Sequence, residues 1–293
     1  MKEILIVSGK GGAGKTSLCA AFAVLAGNSV LVDCDVDASD LHLLLKPEVR
    51  ETHVFRAGLV PVIGESACVR CGECAGVCRF DAVARGAEGV PSIDADACEG
   101  CGVCAALCPA HAIEMEPRLC GEWYESSTAR GTMFHARLLP GGENSGRLVA
   151  EIRRAARNYA EASGAERILL DGPPGIGCPV ISAMTGVDLA VAVTEPTVSG
   201  LHDLNRTLEL ARQFEIECAV VLNKSDLNRE MAARTRNFCT EHGVDVIGEI
   251  PFDPLFNQAL REGRTVADYP ESVPGRRIAE LWETISKKGN RTC

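Results

Sequence analysis

Residues 4–16 read ILIVSGKGGAGKT, and an apolar run from Leu18 to Ala26 follows them. A short β-branched strand, a glycine-rich loop and a helix in this order form the context of a phosphate-binding loop. Glycines let successive backbone N–H groups converge on phosphate oxygens, and the helix that starts near Lys15 adds its positive end. Lys15 is expected to reach the β- and γ-phosphates, and Thr16 to ligate Mg²⁺. The pattern predicts a nucleotide site, with an empty glycine turn as the alternative.

A second lysine inside the loop, Lys10, indicates which class of nucleotide-binding protein this is. With it, the loop resembles the deviant Walker A motif of the MinD/Mrp/ParA (SIMIBI) superfamily of P-loop ATPases, which includes the nitrogenase iron protein and iron–sulfur cluster carriers. The resemblance implies ATP and Mg²⁺ as ligands, and a nucleotide-dependent homodimer in which Lys10 reaches the partner's nucleotide. A solvated loop lysine is the alternative. The nucleotide-binding residues of this segment are then Gly11, Gly12, Ala13, Gly14, Lys15, Thr16 and Ser17.

Acidic residues follow two apolar strands. Asp33 and Asp35 come after a strand over Ser29 to Val32, and Asp171 ends a strand that begins at Arg167. Residues at the carboxyl ends of parallel strands face the ligand crevice. The resemblance implies that Asp35 positions the attacking water, that Asp33 supports Mg²⁺ through water, and that Asp171 holds the metal's hydration shell. The candidate catalytic residues are therefore Lys10, Lys15, Asp35 and Asp171.

A later strand, over residues 218–222, ends in Asn223-Lys224-Ser225-Asp226. Taken alone, this pattern indicates guanine selection by the aspartate. In a MinD-like protein the asparagine instead meets the adenine edge, and the loop type favours ATP over GTP. Pro251 lies where these relatives close over the base, so Asn223 and Pro251 complete the predicted nucleotide site.

Fifteen cysteines in one chain are unusual, and eight of them fall between residues 68 and 108. They form two runs with the spacing x2, x2, x3, and each member of the second run lies 30 positions after its counterpart. Such spacing points to metal ligands in a reducing compartment rather than to disulfides. Zinc also takes four cysteines, but repeated x2, x2, x3 runs are typical of iron–sulfur proteins.

These runs resemble the bacterial ferredoxin with two 4Fe–4S clusters, in which the fourth cysteine of each run ligates the other cluster. The resemblance implies a first cluster and a second cluster with crossed ligands. The predicted sets are Cys68, Cys71, Cys74 and Cys108 for the first, and Cys98, Cys101, Cys104 and Cys78 for the second. One departure is Arg79, which follows Cys78 where proline is usual; Pro109 follows Cys108.

Cys178 lies shortly after the Asp171 segment, in Gly175-Ile176-Gly177-Cys178-Pro179. In the nitrogenase iron protein a cysteine soon after this segment binds a cluster shared by two subunits. We therefore hypothesise that Cys178 contributes to a bridging cluster, with a buried structural thiol as the alternative. Cysteines in apolar patterns are expected in the core, namely Cys19, Cys34, Cys218 and Cys239.

The chain has 293 residues, 46% hydrophobic and 24% charged, with a net charge of −10. We expect an α/β fold: a mostly parallel P-loop NTPase sheet flanked by helices, with an inserted small α+β ferredoxin domain. The predicted domains are 1–63 and 118–293 for the ATPase and 64–117 for the insert, while 118–147 gives no clear pattern. Helices are predicted near 199–213, 228–242 and 275–287, the last docked on the sheet rather than on lipid.

The net negative charge argues against nucleic acid as a partner, and no apolar run is long enough for stable membrane insertion, so we expect a cytoplasmic protein. We predict an ATPase whose nucleotide state gates electron transfer through two 4Fe–4S clusters to a redox partner. The alternative is a carrier that delivers a cluster to an apo-iron–sulfur protein. A MinD/ParA-type positioning ATPase is a third class, but it leaves the eight clustered cysteines without a use.

Overall fold

The computed structural model describes residues 1–86, 89–142 and 144–288, and these form two compact units. Unit 1 comprises Met1–His53, Trp123–Arg137 and the residues from Ser145 onward. Unit 2 comprises Val54–Glu122 and Leu138–Asn144, so the predicted insert 64–117 lies within it.

The strands of the large sheet are β1 Lys2–Ser8, β2 Ser29–Asp33, β3 Glu48–Ile63, β6 Ile113–Thr128, β7 Gly131–Leu138, β8 Arg167–Pro174, β9 Leu189–Thr194, β10 Cys218–Asn223 and β11 Asp245–Ile250. They occur in the order β11-β10-β9-β1-β8-β2-β7-β6-β3. The ladders from β11 through β7 are all parallel. Strands β3 and β6 run from one unit into the other.

Helices alternate with these strands, as expected where parallel neighbours need crossover connections. Their bounds in unit 1 are α1 Lys15–Ala26, α2 Leu41–Leu45, α5 Ser145–Ser163, α6 Cys178–Met184, α7 Val198–Gln213, α8 Arg229–Glu241, α9 Leu255–Arg261 and α10 Val273–Lys287, with a 3-10 helix at Val266–Asp268. The predicted α/β fold, a mostly parallel P-loop NTPase sheet with flanking helices, is confirmed.

Both faces of the sheet in unit 1 are covered. Alternate residues of β1, such as Ile4 and Ile6, pack with α1 and α10 in one apolar cluster. Leu5, which points to the opposite face, is also fully buried. In α10, Trp282 is 8% exposed and stacks on Phe22 with ring centroids 5.6 Å apart, so the last helix docks on the core as predicted.

The segment 118–147, which has no clear sequence pattern, contains the end of β6 and all of β7. The chain reverses between these strands across Ala129 and Arg130. The Thr128 hydroxyl fixes the turn by donating to the Gly131 carbonyl at 2.8 Å and accepting from the Arg130 amide at 3.0 Å.

Unit 2 is small and contains short elements besides its parts of β3 and β6. These are α3 Glu73–Val77, β4 Val83–Arg85, β5 Pro91–Ile93 and α4 Val103–Ala106. Strands β4 and β5 pair in an antiparallel ladder. Its apolar core is built around Cys74, Val83 and Ile113, with cysteines of both runs packed against it. Cysteine side chains therefore form a large part of the interior of unit 2.

Candidate functional site

The phosphate-binding loop connects β1 to α1 at the carboxyl edge of the sheet. Gly14 has φ 93°, a left-handed conformation that an L side chain rarely adopts. A Cβ atom at Gly14 would also lie 2.4 Å from Nδ2 of Asn223. Asn223 in turn donates to the carbonyl of Ala13 at 2.9 Å. The loop needs glycine here because a neighbouring side chain braces its backbone.

Lys15 is 7% exposed and lies between two carboxylates. Its Nζ is 3.5 Å from Oδ2 of Asp35 and 3.5 Å from Oδ1 of Asp171, and it donates to the Thr16 hydroxyl at 3.3 Å. Burial lowers the pKa of Lys15, but the carboxylates of Asp171 and Asp35 outweigh it and raise the pKa above its ordinary value. Three of the four candidate catalytic residues thus meet at one point.

The two buried aspartates differ in their partners. Asp33 accepts from the Ser39 hydroxyl at 2.7 Å and from the amide of Asp35 at 3.1 Å. Asp171 is 1% exposed, and its carboxylate pairs with Lys15 at 3.5 Å, but neither of its side-chain oxygens accepts a well-formed hydrogen bond. Burial raises the pKa of both Asp33 and Asp171 above the ordinary value, while the charge of Lys15 opposes this shift. The unsatisfied oxygens of Asp171 beside Thr16 fit a hydrated Mg²⁺, which prefers oxygen ligands.

Lys10 does not lie with Lys15. Its Nζ is 2.7 Å from Oε1 of Glu195, a residue that follows β9. The other carboxylate oxygen of Glu195 pairs with Lys224 at 3.0 Å. The sequence alone did not single out Glu195; its place just after a strand, at the edge that carries the loop, is the one signal that could have done so.

The predicted base-binding residues come together at the same edge. The amide of Ser225 donates to the carbonyl of Ile250 at 3.0 Å, directly before Pro251. Oδ1 of Asp226 accepts from the amide of Phe252 at 2.7 Å. One oxygen of the aspartate that would select guanine is therefore engaged by the backbone. Ser17 lies half-buried in the first turn of α1.

The eight clustered cysteines surround two cavities in unit 2. One cavity is narrow, about 20 Å³, and the other is open, about 550 Å³. The narrow cavity is lined by Cys68, Cys71, Cys74 and Cys108. The open cavity is lined by Cys78, Cys98, Cys101 and Cys104. Each cavity thus has three cysteines of one run and the last cysteine of the other.

Local backbone geometry directs these thiols. Gly72 and Gly102 precede α3 and α4 in left-handed conformations, with φ 80° and φ 74°. Backbone amides donate to sulfur from Gly100 to Cys98 at 3.4 Å and from Ala112 to Cys108 at 3.3 Å. Amide–sulfur hydrogen bonds are among the features that tune iron–sulfur sites.

Among the described residues, no three His, Cys, Asp or Glu side chains converge closely enough to hold a single metal ion. A 4Fe–4S cube has a different requirement, because each of its irons takes one thiolate and the ligands surround the cube. Four thiols around one cavity match that donor set. Arg79 also lines the open cavity, so the residue that replaces proline adds a positive charge there.

Cys178 is exposed at the first position of α6, so the alternative of a buried structural thiol is wrong. Of the cysteines expected in the core, Cys218 is half-buried, whereas Cys19, Cys34 and Cys239 are buried. Cys120 is buried within unit 2 and donates to the carbonyl of Ala57 at 3.2 Å. Cys293 lies outside the described residues.

The sheet and the braced glycine loop define a P-loop nucleotide-binding protein. Residues 4–266 match the CobQ/CobB/MinD/ParA nucleotide binding domain, so the chain belongs to that family. Within the described part of the chain, no helix has the length and apolar character needed to cross a membrane.

Three relatives illustrate the range of similarity. An uncharacterised protein of Methanocaldococcus jannaschii is 37% identical over 288 residues, covering 97% of this chain and 96% of that protein. A cytosolic Fe–S cluster assembly factor of Eremothecium gossypii is 26% identical over 136 residues, 40% of this chain and 41% of that protein. The crystal structure of the cell division ATPase MinD of Pyrococcus furiosus matches with a TM-score of 0.57 and 20% identity, covering 98% of both chains. At that identity the likeness shows the fold.

Proposed function

We propose that this chain is a Mg²⁺-dependent ATPase whose nucleotide state gates electron transfer through two 4Fe–4S clusters in unit 2. The observation that carries the proposal is the sorting of the eight cysteines around two cavities, four to each. Unit 1 contains the phosphate-binding loop with its lysine and carboxylates. One polypeptide thus combines the residues proposed for a nucleotide site with two groups of four cysteines that are proposed as cluster ligands.

In the nucleotide site, catalysis is positioning and charge stabilisation. The loop amides from Gly11 to Gly14 cradle the phosphates, and Lys15 neutralises charge on the β- and γ-phosphates. Thr16 and Asp171 would hold Mg²⁺, directly or through water, and the ion would neutralise phosphate charge. Asp35, already within 3.5 Å of Lys15, orients the attacking water.

In unit 2, the eight thiolates hold the clusters, each of which supplies one-electron transfer when bound. Crossed ligation ties the two runs together, because each set takes one ligand from the other run. Release of a cluster therefore requires both runs to open. This retention favours a redox role, and the acidity of residues 64–117, nine acids against three arginines, favours a redox partner with a basic surface.

Coupling between nucleotide and clusters is proposed to act through a nucleotide-dependent homodimer. Lys10 and the exposed Cys178 are the residues of unit 1 offered to a second copy, Lys10 for phosphate and Cys178 for a bridging cluster. Strands β3 and β6, which continue from unit 1 into unit 2, are the route by which a change in the ATPase would reach the cysteines.

Cluster delivery to an apo-iron–sulfur protein is the second candidate. It is favoured by the similarity to a cytosolic Fe–S cluster assembly factor over 40% of this chain. A carrier needs a cluster that an acceptor's thiols can reach, and Cys71, Cys101 and Cys178 are the exposed cysteines of the described residues. Delivery and electron transfer differ in whether iron leaves the protein.

The test is to reconstitute the protein anaerobically and to compare it with ATP, ADP and GTP in the presence of Mg²⁺. Electron transfer predicts eight irons per chain that stay bound, ATP hydrolysis that stops in EDTA, and a shift of the cluster reduction potentials with ATP. Delivery predicts iron that passes to an apo-ferredoxin when ATP is added.

The Cys178→Ala variant isolates the bridging hypothesis. Loss of an ATP-dependent increase in bound iron and sulfide is expected if Cys178 ligates a cluster between two chains. Iron and sulfide contents identical to those of the unmodified protein, with and without ATP, would remove Cys178 from the site. If ATP changed neither the reduction potentials of the clusters nor the transfer of iron to apo-ferredoxin, coupling between nucleotide and clusters would be refuted.

A further inference from the structure

The carboxylate of Glu195 lies between the two lysines at the mouth of the nucleotide site. Its Oε1 is 2.7 Å from Nζ of Lys10, and its Oε2 is 3.0 Å from Nζ of Lys224. Lys10 also donates to the Ser199 hydroxyl at 3.3 Å, in the first turn of α7. In this structure Lys10 is thus held by groups of its own chain.

The same carboxylate reaches the loop a second time through Lys224, whose ammonium donates to the carbonyl of Gly12 at 3.2 Å. Residues 10 and 12 of the loop are therefore both tied to the segment after β9. Lys224 itself has φ 53°, so its backbone departs from the usual conformation at this contact.

The pairs are partly shielded from solvent. The Glu195 side chain is 13% exposed, against 32% for Lys10 and 30% for Lys224. Burial raises the pKa of Glu195, but the hydrogen bonds from Lys10 and Lys224 outweigh it and hold the pKa below its ordinary value. Glu195 is therefore ionised near neutral pH and attracts both lysines.

A nucleotide phosphate is the other anion that Lys10 can bind at this edge. We infer that Glu195 is a positioning residue that competes with the terminal phosphate of a nucleoside triphosphate for Lys10. When Lys10 leaves, Lys224 still neutralises Glu195, so no partly buried carboxylate remains unpaired. Lys224 also keeps its contact with Gly12. This arrangement lets Lys10 exchange partners while the loop stays braced.

The inference rests on the proposed function, and it predicts different effects of Glu195 on ATP binding and on ADP binding. The γ-phosphate adds charge next to the loop, so the competition concerns ATP far more than ADP. The phosphate that takes Lys10 belongs either to the nucleotide of the same chain or to that of a second copy. The chemistry is shared, and the dependence on protein concentration separates the two sources.

The test is to measure binding of a non-hydrolysable ATP analogue and of ADP to the full chain by calorimetry, with Glu195→Gln as the variant. The amide removes the charge that holds Lys10. We expect affinity for the triphosphate analogue to rise about 5-fold, the order of a partly exposed ion pair, with ADP affinity almost unchanged. Glu195→Asp, which keeps the charge, should restore most of the original ratio.

Two variants show whether the effect acts through Lys10. In a Lys10→Met background, Glu195→Gln should no longer change the ratio of triphosphate to diphosphate affinity. Glu217→Gln is the matched control, because Glu217 lies directly before β10, away from the loop edge, and pairs with Lys288 at 3.7 Å. It should leave both affinities unchanged.

The increase in triphosphate affinity of Glu195→Gln can depend on protein concentration. If it appears only where sedimentation shows a dimer, the phosphate belongs to the nucleotide of the second copy. If it is independent of concentration, the phosphate belongs to the nucleotide of the same chain. Two results would overturn the inference while leaving the proposed function standing. One is an equal change in affinity for the triphosphate analogue and for ADP. The other is an increase in triphosphate affinity that persists in the Lys10→Met background. Absence of any nucleotide binding by the unmodified protein would instead refute the proposed function.

Discussion

At the residue scale, the charge of Lys15 offsets the negative charge of the carboxylates in the nucleotide site. Lys15 is 7% exposed and lies 3.5 Å from carboxylate oxygens of Asp35 and Asp171. Lys15→Met keeps the length of the side chain and removes its charge, leaving the buried Asp171 and the half-buried Asp35 without their cation. We expect a loss of about 3 kcal/mol in the free energy of unfolding without Mg²⁺, together with loss of nucleotide binding. Urea denaturation in EDTA and calorimetry with ATP measure the two effects.

Asp171→Asn supplies the matched control for that prediction. The double variant Lys15→Met/Asp171→Asn should recover part of the lost stability because a neutral amide replaces the unpaired carboxylate, and it should still bind no nucleotide. Urea midpoints that are equal for the unmodified protein and Lys15→Met would show that Lys15 does not offset the carboxylates.

What the sequence predicts at this scale depends on how a residue enters the site. Lys15, Thr16 and Asp171 follow strands or open a helix, so parallel strand topology alone brings them to one edge. Glu195 meets Lys10 across 185 positions through side chains of two loops, and no periodicity records such a contact. Positioning residues of this kind become visible only in the folded chain.

At the element scale, long apolar strands and amphipathic helices were predicted well. The helices expected near 199–213, 228–242 and 275–287 are α7, α8 and α10, with ends displaced by at most two residues. The hairpin of β6 and β7 was not predicted. It contains Trp123, Tyr124 and His135 at half-buried positions among polar residues, so neither a period of two nor one of 3.6 stands out.

That hairpin makes stability depend on pH through His135. Its Nε2 is 2.8 Å from the Ser126 hydroxyl on β6, and burial, followed by the charge of His42, lowers its pKa from 6.5 to about 4. Between these values the unfolded chain binds a proton that the folded chain does not. Stability present above pH 6.5 is therefore lost as the pH falls toward 4. When the pH falls from 7 to 4.5, the free energy of unfolding of His135→Gln should decrease by roughly 1–2 kcal/mol less than that of the unmodified protein.

The measurement is urea denaturation of cluster-free protein at both pH values, followed by hairpin-specific hydrogen exchange. His202→Gln is the control, because it makes the same substitution at a side chain that is 71% exposed. Curves for His135→Gln and the unmodified protein that shift in parallel would show that His135 titrates normally in the folded state.

At the scale of the whole molecule, one chain combines the nucleotide-binding fold of its family in unit 1 with the cysteine-rich unit 2. The 30-residue offset between the cysteine runs indicates a duplicated segment, and the crossed grouping of the eight cysteines is what the resemblance to two-cluster ferredoxins implies. The structure brings the last cysteine of each run to the cavity of the other run. The sequence could not predict the different volumes of the two cavities, about 550 Å³ for the one lined by Arg79 and Phe80 and about 20 Å³ for the other.

Crossed ligation can be tested by pairing substitutions within and between the two sets. Cys78 and Cys101 line the same cavity, so Cys78→Ala/Cys101→Ala should remove one cluster and leave about four irons per chain. Cys68→Ala/Cys108→Ala is the reciprocal pair for the other cavity and should give the same count. Cys71→Ala/Cys78→Ala removes one ligand from each set and should disturb both clusters. Iron and sulfide analysis with EPR of the dithionite-reduced protein measures these outcomes. If each run instead held its own cluster, Cys71→Ala/Cys78→Ala would spare one cluster and Cys78→Ala/Cys101→Ala would damage both.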